Sequence, residues 1–212
     1  MQKLYPININ IQGRRCLMVG GGGVALRKIK GLLEAGAGVH VVSPKILDEI
    51  KRLPVKVFER AFRESDVDSA ALVIAATDDA DVNARVAAAA QLLNVPVNVA
   101  DQPGLCSFFM PAVVRRGSLI ISVSTSGASP AMAKIIRKQL EEEYSDIYGD
   151  FIEIVGSFRE RIIASVPDQR KRAELFEEIA ADRMLSMMLV NGEQALKGTI
   201  EKMIESYAGG RS

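Results

Sequence analysis

The stretch VGGGGVALRK, residues 19–28, decides the fold. It sets Gly20, Gly22 and Ala25 in the spacing G-x-G-x-x-A. Just before it runs RCLMVG (15–20), a short apolar strand pattern. VALRKIKGLLEAG (24–36) follows at helical spacing, with Val24, Ile29, Leu32 and Leu33 available to one face and Gly36 as a stop. A glycine loop between a strand and a helix is the setting in which this spacing binds a dinucleotide. The first glycine makes the tight turn, the second lets backbone N–H groups reach a pyrophosphate, and the small third residue lets helix pack on strand. The helix N-terminus adds positive potential for the phosphates. The competing reading is a turn with no ligand.

Working outward, apolar runs alternate with helical ones. VHVVSP (39–44), VKVFE (55–59), ALVIAAT (71–77) and VPVNVA (95–100) read as strands, and DVNARVAAAAQLLN (81–94) as an alanine-rich helix. ALVIAAT is apolar throughout, as a strand covered on both faces should be. The order predicts an α/β fold with a Rossmann-like, mainly parallel, doubly wound sheet. SLIISVSTSG (118–127) is a further strand. Ser129 and Pro130 suit the N-cap and first position of a helix through AMAKIIRKQLEEEY. From Ser145 the pattern is helical with a break at Val166-Pro167, and the tail AGGRS is expected to fray. Met184, Met187 and Met188 read as core filler.

Composition narrows the function classes. The 212 residues are 48% hydrophobic and 25% charged, the balance of a globular chain. No apolar run reaches the length of a membrane span, and MQKLYPININI has no signal-peptide core. Cys16 and Cys106 lack the number and spacing of a disulfide framework or a metal site and fit a reducing cytoplasm. The single histidine, His40, excludes a multi-histidine metal centre. Charge is uneven: residues 1–140 hold 18 Lys/Arg and 11 Asp/Glu, and residues 141–212 hold 9 and 15. Between Asp101 and Glu141 there is no acidic residue, while Arg115, Arg116, Lys134, Arg137 and Lys138 all fall there. This suits an anionic ligand or a solvated basic face. Without Trp or an aromatic platform, nucleic acid is not expected.

Ligands of open α/β sheets sit beyond the carboxyl ends of the strands. Three segments end there: the glycine loop, Thr77-Asp78 after the fourth strand, and Asp101 after the fifth. Asp79 and Asp81 read as charges at a helix start. No acidic residue ends the second strand, where one would hold a ribose 2′-hydroxyl; Ser43, Pro44 and Lys45 stand there instead, so the residues leave NAD and NADP both open. Asp101 precedes Pro103-Gly104 and is either a turn former or a general base. Beside Phe108, Phe109 and Met110 it would be partly desolvated, a setting that favours acid–base work. Ser124, Thr125, Ser126 and Gly127 form a second strand-to-helix turn, with Lys134, Arg137 and Lys138 on the helix after it. This is an anion site for a ligand with several carboxylates, or an ordinary cap on a dimerisation segment.

Taken together, VGGGGVALRK with LLEAGAGVHVVSP, then IAATDDADVN, NVADQPGLCSFFMPA and SVSTSGASPAMAKIIRKQL, resemble the precorrin-2 dehydrogenases of siroheme biosynthesis, both the stand-alone proteins and the N-terminal part of fused siroheme synthases. The match runs in order over about residues 3–145. The resemblance implies NAD⁺-dependent oxidation of precorrin-2, a tetrapyrrole, to sirohydrochlorin by an intertwined homodimer. It implies a stand-alone form without the fused methyltransferase domain. It implies three parts: a Rossmann domain (1–112), a dimerisation segment (113–145) and a helical domain (146–212). The family's catalytic aspartate falls on Asp101, and its cofactor contacts fall near Gly23, Val24, Pro44 and Lys45. Thr125 and Ser126 stand where fused relatives carry Ser and Gly, which leaves open the phosphorylation known at that serine. Some members also insert Fe²⁺ as chelatases through the same aspartate, without a dedicated metal cluster. A nucleotide-sensing module without chemistry is the remaining alternative.

Overall fold

Five apolar runs become strands: β1 (Arg15–Val19), β2 (Gly38–Val42), β3 (Lys56–Phe58), β4 (Leu72–Ala75) and β5 (Val97–Val99). They form one parallel sheet in the order β3-β2-β1-β4-β5. The computed structural model describes residues 3–209, so the last three residues of the AGGRS tail lie outside the described residues. Parallel strands need crossovers, and these are α1 (Gly23–Glu34), a short α2 (Asp48–Lys51) and α3 (Ala80–Leu92).

The alternation of side chains along β1 explains the two-layer cover. Leu17 and Val19 enter a core with Val73, Val86, Ala87 and Ala90, on the α3 side. Cys16 and Met18 enter another with Ala25, Ile29, Leu32 and Ile50, on the α1 and α2 side. The buried stripe of α1 is Ala25, Ile29 and Leu32, whereas Val24 is 41% exposed. The face expected through Val24 is therefore rotated by one residue, because the small Ala25 is what fits against the strands.

These elements belong to one unit, Tyr5–Met110, and a second unit begins at Pro111. The second opens with an antiparallel hairpin, β6 (Ala112–Arg116) and β7 (Leu119–Val123). β6 is an element the sequence pattern did not reveal. Next comes α4 (Pro130–Glu143), with Ser129 Oγ accepting from Met132 N at 3.2 Å, the cap expected of it. Then follow α5 (Asp146–Ser157), α6 (Arg159–Ser165), α7 (Gln169–Ala180) and α8 (Asp182–Ala208), with the break at Val166-Pro167 where it was expected. Gly192 interrupts α8 with φ 80° and ψ 172°. Ile154, Ile162, Leu175, Ile179, Met184, Met188, Leu196 and Ile200 fill the core of this helical part.

Candidate functional site

Because the sheet is parallel, the turns after β1, β2, β4 and β5 lie along one edge. The strand order reverses between β1 and β4, which is the position of a ligand crevice in such sheets. The glycine loop stands at that reversal. Gly20 has φ 122°, and a Cβ there would lie 2.2 Å from the Ala76 carbonyl oxygen. A Cβ on Gly21 would lie 2.2 Å from the Lys45 carbonyl oxygen. Leu47 N donates to Gly21 O at 3.0 Å. The loop is thus wedged between the turns after β4 and β2, and the G-x-G-x-x-A spacing gave no sign that Gly21 is needed for it.

Gly22 and Gly23 are different. A Cβ on either would meet nothing within 4 Å. Gly22 caps α1 without a side chain, and the first turn of α1 holds no acidic residue. Backbone donors at this helix start have no side-chain acceptor, in a place with room beside them. These are the features a pyrophosphate needs, so the residues fit the cofactor expected from the motif. Val24, exposed in the first turn, borders the same space.

Ser43, after β2, donates from Oγ to the Lys45 carbonyl at 2.8 Å. Its hydroxyl therefore shapes the turn, while Pro44 and Lys45 are exposed. Thr77 Oγ1 donates to Asn83 Oδ1 at 2.9 Å, and Asn83 Nδ2 donates to Thr77 O at 3.0 Å. The hydroxyl expected to line the cleft is thus hydrogen-bonded to the start of α3, and Asp78 beside it is exposed. Asp79 is the N-cap, accepting from Asp81 N at 2.9 Å and Val82 N at 3.1 Å.

Asp101 follows β5 with φ 59°, a left-handed backbone that is uncommon outside glycine. Its side chain is exposed, so the partial desolvation expected from Phe108, Phe109 and Met110 is absent in this chain. The loop that carries it is stapled to β5. Val99 N donates to Cys106 Sγ at 3.2 Å, Val97 N to Ser107 Oγ at 2.8 Å, and Asn98 Nδ2 to the Phe108 carbonyl at 3.1 Å. Asn98 in turn accepts from Lys28 Nζ at 3.0 Å. Neither Asn98 nor Lys28 was singled out from the sequence, although a lone Asn in the apolar run VPVNVA was a visible signal.

In the second unit, Ser126 and Gly127 both take left-handed backbone, φ 52° and 83°. Ser124 Oγ accepts from Ser126 N at 3.2 Å, and Thr125 Oγ1 accepts from Ser129 N at 3.0 Å. Lys134 and Lys138 are exposed. Arg137, expected among the ligand-binding cations, pairs with Glu141 one turn along α4. Arg116 is also occupied: it donates to the carbonyls of Tyr144 at 2.8 Å and Glu141 at 3.0 Å.

Comparison with known proteins adds a family. A family model described as NAD(P)-binding matches residues 7–112, half of the chain. A second, the central part of sirohaem biosynthesis proteins, matches residues 116–143. A siroheme synthase of Thioalkalivibrio sulfidiphilus is 36% identical over 206 residues, covering 95% of this chain and 42% of that protein. One from Pseudomonas fluorescens is 39% identical over 209 residues, covering 95% and 44%. The chain thus spans less than half the length of these curated relatives. The solved structure of SirC, a precorrin-2 dehydrogenase, superposes with a TM-score of 0.76 at 28% identity, covering 94% of this chain and all of that one.

Proposed function

Since the chain belongs to the NAD(P)-binding family and continues into the central segment of sirohaem biosynthesis proteins, we propose that it oxidises precorrin-2 to sirohydrochlorin with NAD⁺. The observation that carries this reading is the open, uncapped helix start at Gly22-Gly23, at the same sheet edge as Asp101. The reaction removes a hydride from one carbon and a proton from its neighbour, leaving one more double bond. NAD⁺, when bound, takes up the hydride. The rest is the work of this chain. Backbone N–H groups of Gly22, Gly23 and Val24 hold the phosphates, with Gly20 shaping the turn. The Ser43-Pro44-Lys45 turn faces the adenosine half, and Thr77-Asp78 borders the other. The Asp101 carboxylate, exposed and held on a fixed backbone, receives the proton or orients the macrocycle.

Precorrin-2 is a polycarboxylate. Ser124 to Gly127 offer N–H groups at the start of α4, and Lys134 and Lys138 offer two exposed cations; we assign them to substrate carboxylates. Arg137 supports that helix through Glu141 instead. The outer face of the β6–β7 hairpin exposes Val113 and Ile120, and α4 exposes Met132 and Ile135. These exposed apolar side chains support a homodimer built on 113–145 and a helical part from 146. No described helix is long and apolar enough to cross a membrane, and the two cysteines are free thiols, which suits a cytoplasmic setting.

The test is an absorbance time course on anaerobically generated precorrin-2 with NAD⁺, with NADP⁺ and with neither. A sirohydrochlorin spectrum that grows with NAD⁺ is the expected result. No cofactor-dependent change beside an active control enzyme would refute the reading. Asp101→Ala is expected to retain NAD⁺ binding and lose about 10²–10⁴-fold in turnover. An unchanged rate would return Asp101 to the role of turn former.

A further inference from the structure

Lys28 lies in the second turn of α1, the helix whose start receives the phosphates. Its ammonium is half-buried and donates to two neutral acceptors, Asn98 Oδ1 at 3.0 Å and Met110 Sδ at 3.4 Å. Among the described residues, no carboxylate comes within ion-pair distance of it. Burial, then the neighbouring Arg27, push its pKa below the ordinary lysine value, opposed by Cys106 and Asp101. A half-buried cation without an ion pair is costly to keep, and an apolar side chain of similar length would pack there.

The hydrogen bonds show what the cation holds. Asn98 spends its acceptor on Lys28 and its amide N–H on the Phe108 carbonyl, with Cys106 Sγ 3.6 Å away. Cys106 Sγ faces the Val99 carbonyl at 3.3 Å and the Gln102 carbonyl at 3.4 Å. Gln102 adjoins Asp101, whose left-handed backbone costs energy that the surrounding bonds must supply. A continuous chain of contacts therefore runs from α1 through Asn98 into the loop 100–110.

We propose that Lys28 is a positioning residue for Asp101: through the Asn98 amide it fixes the loop that carries the aspartate and ties it to the helix that binds the nucleotide. This rests on the reading of Asp101 as the catalytic group. The geometry of a base matters at this level, because a displacement of about 1 Å costs on the order of 10²-fold.

The experiment is a mutant cycle in the full-length chain: Lys28→Met, Asp101→Asn and the double variant, with Lys28→Arg as the conservative control. Lys28→Met is expected to lower kcat about 10- to 100-fold, with the NAD⁺ Kd by calorimetry within about twofold of wild type. In the Asp101→Asn background the same change should cost no more than about twofold, since both act on one group. Lys28→Arg should keep kcat within about threefold. Equal losses in both backgrounds, or an unchanged kcat, would overturn the proposal. Amide hydrogen exchange over residues 100–105 gives a readout independent of chemistry. It should quicken about tenfold or more in Lys28→Met while α3 stays protected, and unchanged exchange would overturn the tether. If Asp101→Asn keeps wild-type turnover, the catalytic reading falls while the exchange still decides the tether. Should Lys28→Met not fold, Lys28→Gln takes its place, with the same losses expected.

Discussion

Gly21 and Gly22 are neighbours with opposite duties. At Gly21 the added Cβ would strike the Lys45 carbonyl; at Gly22 it would enter open space. Gly21→Ala is expected to cost about 1–3 kcal/mol of stability by forcing two loops apart. Gly22→Val should leave the melting temperature nearly unchanged and abolish NAD⁺ binding. Thermal melts and calorimetry on both variants check this, and normal NAD⁺ affinity in Gly22→Val would remove the phosphate assignment. The spacing singles out Gly22 for close approach of a pyrophosphate, and the structure leaves open space there. The need for a glycine at 21 was not legible, because it comes from a turn 24 residues further along the chain. Val24 and Ala25 show a similar limit, since a helical period does not choose between faces one residue apart.

His40 shows a residue-level effect with a definite sign. It lies half-buried on β2 and accepts from Arg15 Nε at 3.0 Å through Nδ1. Burial, then Arg15 and Lys56, lower its pKa below the ordinary histidine value. The folded chain therefore holds the ring neutral, while the unfolded chain takes up a proton near pH 6.5. The contribution is present above about pH 6.5 and is lost as pH falls from there toward the folded value. Urea midpoints measured from pH 7.5 down to pH 5 should drop for the wild type, and His40→Gln should lack this part of the drop. Equal slopes for the two proteins would exclude His40 as the cause.

Among elements, the β6–β7 hairpin packs against α4 and α5 and leaves one face bare. Val113, Arg115, Ile120 and Ser122 share its outer, exposed face, as the antiparallel register requires. Ile120→Glu is expected to convert a dimer to a monomer in sedimentation equilibrium without loss of helix content. A wild-type chain that sediments as a monomer would remove this role. β6 itself escaped notice because AVVRR closes on two arginines that read as a basic face. One of them, Arg116, spends its donors on the carbonyls at the end of α4. Arg137 pairs with Glu141 one helical turn away, a contact that a charge count does not show.

For the molecule as a whole, the parallel sheet was legible because its strands are apolar on both faces and alternate with helices. The charge balance changes sign near residue 140, whereas the division into units falls at Met110 and Pro111. Charge follows what a surface faces, whereas a unit boundary follows where contacts thin out. Likewise, the loop after β5 owes its shape to bonds with strand residues and with Lys28, and local pattern holds no record of them.

β1 feeds two different cores from alternate residues, Cys16 and Met18 on one side, Leu17 and Val19 on the other. Its five residues therefore behave as a word of fixed length. A substitution there disturbs one core, but an insertion or deletion of a single residue would exchange the occupants of both and shift the glycine loop along with them. Descent with modification can spell this strand differently, yet it cannot lengthen or shorten it. The crossover between β3 and β4 is bound in a similar way, because Phe62 and Val67 are buried in one of the same cores and Asp66 pairs with Arg60.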